Sequence, residues 1–280
     1  MALDRIEKRF EKLKTEKRAG LVTFVTAGDP DLGTSLEILK GLPGAGADII
    51  ELGMPFSDPM ADGPAIQEAS IRALKGKMTL AKTLEMVRLF RQDDQVTPII
   101  LMGYYNPIYI YGVDKFLYDA LSAGIDGLII VDLPPEEDTE LAIPAKKVNM
   151  GMIHLATPTT NEKRLNIILR NGSGFLYYVT IAGITGSAKP DLTPVKNALD
   201  KFRAVSDIPM AVGFGIKTPK DVARFAEFSD AVVVGSAIVD IIKNNIDEQN
   251  VANSELIGRV LSFVDELSDG VKSAKREDLG

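Results

Sequence analysis

The sequence predicts an α/β chain folded as a closed (β/α)8 TIM barrel with an extra N-terminal helix. Two observations predict it. Eight short, nearly continuous apolar runs read as parallel strands buried on both faces. Each run is followed by a segment with helical spacing of apolar residues, which is the alternation a closed barrel requires. The length of 280 residues fits a single domain over 1–280, since such barrels take about 250 residues. A doubly wound open sheet is the alternative arrangement of the same elements.

The elements follow in order. Ile6, Phe10 and Leu13 form one stripe, an extra helix suited to closing the barrel floor. The eight strands are Leu21–Thr26, Asp48–Leu52, Pro98–Met102, Gly127–Val131, Gly151–Leu155, Phe175–Thr180, Pro209–Val212 and Ala231–Val234. Between them, Leu80, Leu84 and Val87 share a helix face, as do Phe116, Ala120 and Ala123, and Val195, Leu199 and Phe202. Thr193-Pro194 and Thr218-Pro219 each read as an N-cap followed by proline, and Thr159 with Glu162 has capping-box spacing. Residues 268–280 lack apolar periodicity and are expected to fray.

Composition narrows the function. Thirty-nine acidic against 32 basic residues leave a net charge of -7 and a sequence pI near 5.0. That argues against a nucleic-acid binder, though not against an anionic substrate held by backbone amides. The chain has no cysteine, which excludes disulfides, thiolate nucleophiles and Cys-ligated metals. One histidine, His154, excludes a His-rich metal site and reads as a buried structural residue. The charged N-terminus has no signal-peptide core and no run suits a membrane span, so a cytoplasmic protein is expected.

Two strand-to-helix connections are long, from Gly53 to about Gly63 and from about Ile181 to Thr193. Such connections usually take about 2–6 residues, and in a barrel both lie at the catalytic mouth. Glu51 comes near the end of Asp48–Leu52, an otherwise largely apolar strand. Burial raises a carboxyl pKa and suits it to acid–base work near neutrality, while pairing with a cation is the structural reading. Asp58 and Asp62 stand in a proline-rich loop, where each reads as a turn former or cap, and Asp62 also as an acceptor for a substrate N–H. Gly213-Phe214-Gly215 and Gly235-Ser236 follow the last two strands, with a helix over Ala237–Lys243. Glycine amides, a hydroxyl and a helix N-terminus there favour a phosphate seat over mere tight turns. Gly183 and Gly186 could close over the same anion. Only one of Tyr177 and Tyr178 can face the interior. No strand carries a lysine, which argues against a Schiff-base aldolase.

The stretch Glu51-Leu52-Gly53-Met54-Pro55-Phe56-Ser57-Asp58-Pro59-Met60-Ala61-Asp62-Gly63-Pro64-Ala65-Ile66-Gln67 resembles the signature of the tryptophan synthase alpha subunit family. Phe24-Val25-Thr26-Ala27-Gly28-Asp29-Pro30, Leu101-Met102-Gly103-Tyr104-Tyr105-Asn106-Pro107, Ala182-Gly183-Ile184-Thr185-Gly186, Gly213-Phe214-Gly215-Ile216 and Gly235-Ser236-Ala237-Ile238-Val239 support it in the family's order. The resemblance implies retro-aldol cleavage of indole-3-glycerol phosphate to indole and glyceraldehyde 3-phosphate, in L-tryptophan biosynthesis and without metal or organic cofactor. It implies Glu51 and Asp62 as catalytic residues and Tyr177, Phe24 and Phe214 around the indole. It further implies Gly186, Gly215, Gly235 and Ser236 at the phosphate, and Thr185 as a lid residue orienting the aspartate. The implied partner is a pyridoxal-phosphate beta subunit in an alpha2beta2 complex, contacted through Pro55–Pro59 and Tyr104–Pro107. Ile181 departs from relatives with a basic residue there. Another phosphate-binding barrel, an isomerase or epimerase, would share the glycines but not the double-acid loop. A non-catalytic barrel that senses ligand for a beta subunit would not need both acids.

Overall fold

The structure, a computed structural model, describes residues 2–180, 192–213 and 215–275. Its strands are β1 (Gly20–Thr26), β2 (Ile49–Gly53), β3 (Ile99–Gly103), β4 (Gly127–Ile130), β5 (Gly151–Met152), β6 (Leu155–Ala156), β7 (Leu176–Val179), β8 (Met210–Gly213) and β9 (Ala231–Val234). All pair in parallel, in the order β5-β4-β3-β2-β1-β9-β8-β7-β6. The two ends of this order are consecutive in the chain. β5 and β6 are the halves of the expected fifth strand, and the two residues between them hand it from one neighbour to the other. The Ile153 amide donates to the Leu128 carbonyl (2.9 Å), and the Tyr177 amide donates to the His154 carbonyl (3.0 Å). The sheet thereby closes into a barrel.

Alternation along the strands sorts side chains into two cores. Val22, Ile49, Ile100, Ile129, Ile153 and Tyr177 point inward. Tyr178 points outward and meets Phe202 edge-on at 5.9 Å, as its neighbour's inward position demands. The outward core continues under the helices, with Leu84, Val87, Phe116, Ala120, Leu199 and Phe202 buried as the helical spacing predicts.

The N-terminal helix Ala2–Thr15 buries Ile6, Phe10 and Leu13 against the inner core, with Phe10 5.8 Å from Phe175. Three such side chains contribute about 1.5–3 kcal/mol each. Charge adds direction. Asp126, fully buried before β4, accepts from Arg5 of this helix (2.8 Å), from Arg91 (2.7 Å) and from the Ile99 amide (2.8 Å). Asp48, before β2, takes the same role with Arg18 at 2.7 and 2.8 Å and Arg9 at 3.3 Å. The floor is sealed, so the opposite end of the barrel is the one open to a ligand.

Three local expectations are corrected. Thr218 caps its helix by accepting from the Asp221 amide, but Thr193 is already helical, following Leu192. Asn161, not Thr159, caps Glu162–Asn171 by accepting from the Arg164 amide; the threonines 157, 159 and 160 bond among themselves in the preceding turn. The tail does not fray at 268. Helix Leu256–Ser273 continues through it with Leu267, Ser268, Gly270 and Val271 buried, because this face packs on helix Pro219–Ala226. A Cβ on Gly270 would lie 2.5 Å from the Pro219 carbonyl oxygen. Among the described residues no helix is long and apolar enough to cross a membrane.

Candidate active site

Parallel register places the acids. Phe24 of β1, Glu51 of β2 and Ile100 of β3 stand level, so all three point into the barrel. Glu51 is 1% exposed, and its Oε1 has no hydrogen-bond partner. The structural reading, a glutamate paired with a cation, therefore fails. Burial alone pushes its carboxyl pKa up to about 8. The group is a neutral acid at physiological pH, close to the midpoint at which it can both give and take a proton.

Tyr177 faces this carboxyl across the interior. Its phenol is held well above the ordinary range by burial, and next by the Glu51 charge. The ring fits because position 213 carries no side chain: a Cβ there would overlap the Tyr177 hydroxyl and lie 2.8 Å from its Cζ. The Gly-x-Gly pattern after β8 thus has a packing role that the sequence reading missed.

Above Glu51 the barrel opens into a cavity lined by Phe24, Gly53, Met54, Ile66, Ser70 and Tyr104, with Asp62 on its wall. Gly53 is two residues beyond Glu51 on the same inward face, and a Cβ on it would strike the Phe24 ring at 2.6 Å. Glu51 therefore lies one inward step below Gly53, a residue of the cavity wall, and Asp62 lines the cavity itself. Asp62 is half-buried and does not cap the helix that follows; Gly63 does, without a side-chain bond. Burial raises its carboxyl, opposed by hydrogen-bond donation from Tyr104. Asp58 is exposed and bonded to Ser57, an ordinary turn former.

The loop holding Asp62 is tied down at several points. Gln67 donates to the Asp62 carbonyl (2.9 Å), and the Ala61 amide donates to the Tyr104 hydroxyl (2.9 Å). Phe56 stacks on the Tyr104 ring at 5.2 Å. Tyr104 went unnoticed as a site residue. Its position directly after β3, at the mouth, was the available signal.

β8 and β9 are neighbours, pairing Ala211 with Ala231 and Val212 with Val232, so the glycines beyond them share one stretch of rim. Gly215 adopts φ +78, a left-handed conformation that favours glycine, and a Cβ there would meet nothing. Gly235 precedes helix Ser236–Lys243 with no side-chain cap, so that helix begins directly at the rim. A Cβ on Gly235 would approach Phe24 to 3.2 Å, so this glycine also makes room for the cavity wall. The helix starts at Ser236, one residue before the sequence predicts. Thr185, Gly186 and Phe214, with Ile181 and Gly183, lie outside the described residues. His154 is on the outer face of its strand, 3.1 Å from Asp138 under the helices, a structural residue as expected.

A sealed barrel with a neutral buried carboxyl, a second carboxyl on the cavity wall and glycines beside a helix N-terminus at the rim is the architecture of a barrel enzyme. The comparisons are specific. The family model for the tryptophan synthase alpha chain matches residues 10–269. Tryptophan synthase subunit alpha of Legionella pneumophila str. Paris is 40% identical over 96% of this chain and 98% of its own, with a TM-score of 0.88. The alpha chain from Legionella pneumophila subsp. pneumophila is 38% identical over 98% and 99%, at 0.87. A ligand-free tryptophan synthase from M. tuberculosis is 30% identical over 96% and 99%, at 0.84. The chain belongs to the tryptophan synthase alpha chain family, which implies a lyase role.

Proposed function

We propose that the protein cleaves indole-3-glycerol phosphate to indole and glyceraldehyde 3-phosphate. The observation that carries this reading is Glu51: a buried carboxyl without a hydrogen-bond partner at Oε1, protonated near neutral pH, on the inward strand face two residues before Gly53 of a cavity that a second carboxyl borders.

The reaction is a retro-aldol cleavage. Glu51, in its acid form, protonates the indole carbon bearing the glycerol chain. Asp62, ionised, accepts the ring N–H and stabilises the positive charge that develops there. The Glu51 carboxylate then removes the proton from the adjacent hydroxyl. The carbon–carbon bond breaks, its electron pair returns to the ring, and the hydroxyl carbon becomes the aldehyde. Glu51 ends protonated as it began, so the scheme balances without a metal or organic cofactor. Phe24 and Phe214 would flank the indole and Tyr177 would line the reacting carbon. Gly186, Gly215, Gly235 and Ser236 would bind the phosphate through amides and a hydroxyl at a helix N-terminus. Thr185 would orient Asp62.

Assembly with a beta subunit belongs to the same reading. Of the two surfaces assigned to it, the first exposes Ser57 and Asp58, with Met60 just beyond. The second exposes Asn106, whereas Tyr104 is buried and contributes from within.

The test is indole release by the purified chain. Glu51→Gln should keep the fold and lose about 10²–10⁴-fold in turnover, and Asp62→Asn should bind substrate yet turn over slowly. Near-native turnover by the Glu51 variant removes the assignment.

A further inference from the structure

We propose that Tyr104 is a positioning residue for Asp62, fixing one carboxylate oxygen through its hydroxyl so that the other is presented to the cavity. The inference rests on the function proposed above and adds a residue to it.

Donor and acceptor roles fix the direction of both bonds at the phenol. The Tyr104 oxygen lies 2.9 Å from the Ala61 amide nitrogen and 3.0 Å from Asp62 Oδ2. A backbone amide can only donate, so the phenol oxygen accepts there. Its single proton is then left for Asp62, and the direction of the second bond follows. The carboxylate receives a charge-assisted bond at Oδ2, and Oδ1 remains for a substrate N–H.

The phenol itself cannot wander. Tyr104 directly follows β3, is 2% exposed, and stacks on Phe56 at 5.2 Å with 29° between planes. Ala61 and Asp62 are adjacent, so one oxygen grips the backbone and the side chain of the same short segment. Asp62 stands in a ten-residue connection between β2 and helix Pro64–Lys75, from Met54 to Gly63, and such a connection needs a rigid anchor if its carboxylate is to be held within a fraction of an ångström. The anchor comes from the neighbouring strand. It exerts a chemical effect as well: donation favours the ionised form of Asp62, the form that accepts an N–H.

Tyr104→Phe tests this cleanly, because the ring, the stack on Phe56 and the burial are retained and only the hydroxyl is lost. With indole-3-glycerol phosphate and the full chain, kcat should fall roughly ten- to hundredfold, with KM within about twofold. The acid limb of the kcat profile should move to higher pH, because Asp62 without its donor holds a proton longer. In parallel, the Asp62 carboxyl resonance of carbon-13-labelled protein, assigned with Asp62→Asn, should titrate at higher pH in the Phe variant than in wild type. Unchanged kcat and an unmoved acid limb, or an Asp62 midpoint equal to wild type, would overturn the inference and leave Tyr104 as packing alone. A wild-type chain that releases no indole would overturn the functional reading instead, while the resonance still decides whether Tyr104 sets the state of Asp62.

Discussion

The Tyr177 hydroxyl occupies the space that a side chain at position 213 would need. β7 and β8 are adjacent, with Tyr177 level with Ala211, so the ring leans one step toward the mouth over Gly213. A Cβ at 213 would also lie 2.9 Å from the Cβ of Val233. The Val233 Cβ is tied directly to the backbone, and the Tyr177 ring is buried and rigid, so neither can swing aside freely.

Gly213→Ala should therefore destabilise the fold by about 1–3 kcal/mol, the usual cost of overpacking a filled core. It should also push the phenol toward Glu51, and a displacement near 1 Å costs on the order of 10²-fold in rate. Urea denaturation and indole release check the two effects. A variant with the wild-type midpoint and rate would show that the ring relaxes freely.

The raised Glu51 pKa predicts a pH dependence with a definite sign. Cleavage needs Glu51 protonated and Asp62 ionised. Activity should fall on the alkaline side as Glu51 loses its proton near 8, and on the acid side as Asp62, itself raised by burial, gains one. For stability, the unfolded glutamate ionises near its ordinary 4.5 while the folded one stays protonated to about 8. Between those values the unfolded state holds fewer protons, so stability declines as pH rises. Glu51→Gln carries no such charge and should gain on wild type across that window, by up to a few kcal/mol. Denaturation curves at both ends of the window, showing a constant difference between variant and wild type, would contradict the shift.

The sequence carries the barrel because its strands are buried on both faces and must be apolar throughout; this makes Ile99–Gly103 or Ala231–Val234 readable without neighbours. Glu51 is legible for the same reason, as the one acid inside such a run besides the floor residue Asp48 at its start. What stays hidden depends on residues far apart in the chain. Nothing near Ile153 and His154 tells that the fifth strand changes neighbour there. In the tyrosine-rich run at 104–111, the place of Tyr104 directly after β3 puts it at the mouth, but nothing local tells that it meets Asp62, 42 positions away. The tail looks unpaired because its buried stripe is interrupted by Ser268 and Gly270, small residues chosen for close approach: Gly46 and Pro219 fit against them.

The floor makes a prediction about stability rather than rate. Asp126 is fully buried and holds Arg91, 7% exposed, at 2.7 Å. Asp126→Asn leaves that buried guanidinium with only the more distant carboxylate of Asp94, at 3.9 Å, and should cost about 3–5 kcal/mol. Arg5, the other partner, is 24% exposed and keeps access to water, so Arg5→Met should cost far less. Paired melting measurements on the two variants check the ranking. Equal losses would mean that the N-terminal helix, not the Arg91 pair, carries the effect.

The single histidine offers the last check, since its ring gives one isolated proton signal. His154 Nε2 lies 3.1 Å from Asp138 Oδ2, and the other oxygen of Asp138 accepts from Asn171 at 2.8 Å. Burial depresses the imidazole pKa, the neighbouring Asp138 charge works against this, and Arg164 adds to the depression. Since burial outweighs the carboxylate, the folded midpoint should lie below the ordinary 6.5. As pH falls from there toward the folded midpoint, the unfolded state binds the proton that the folded state refuses, and stability drops. A proton NMR titration of the folded protein reads the midpoint directly. A value above 6.5 would reverse the order of the two effects and make the Asp138 pair, rather than burial, the dominant influence on this residue.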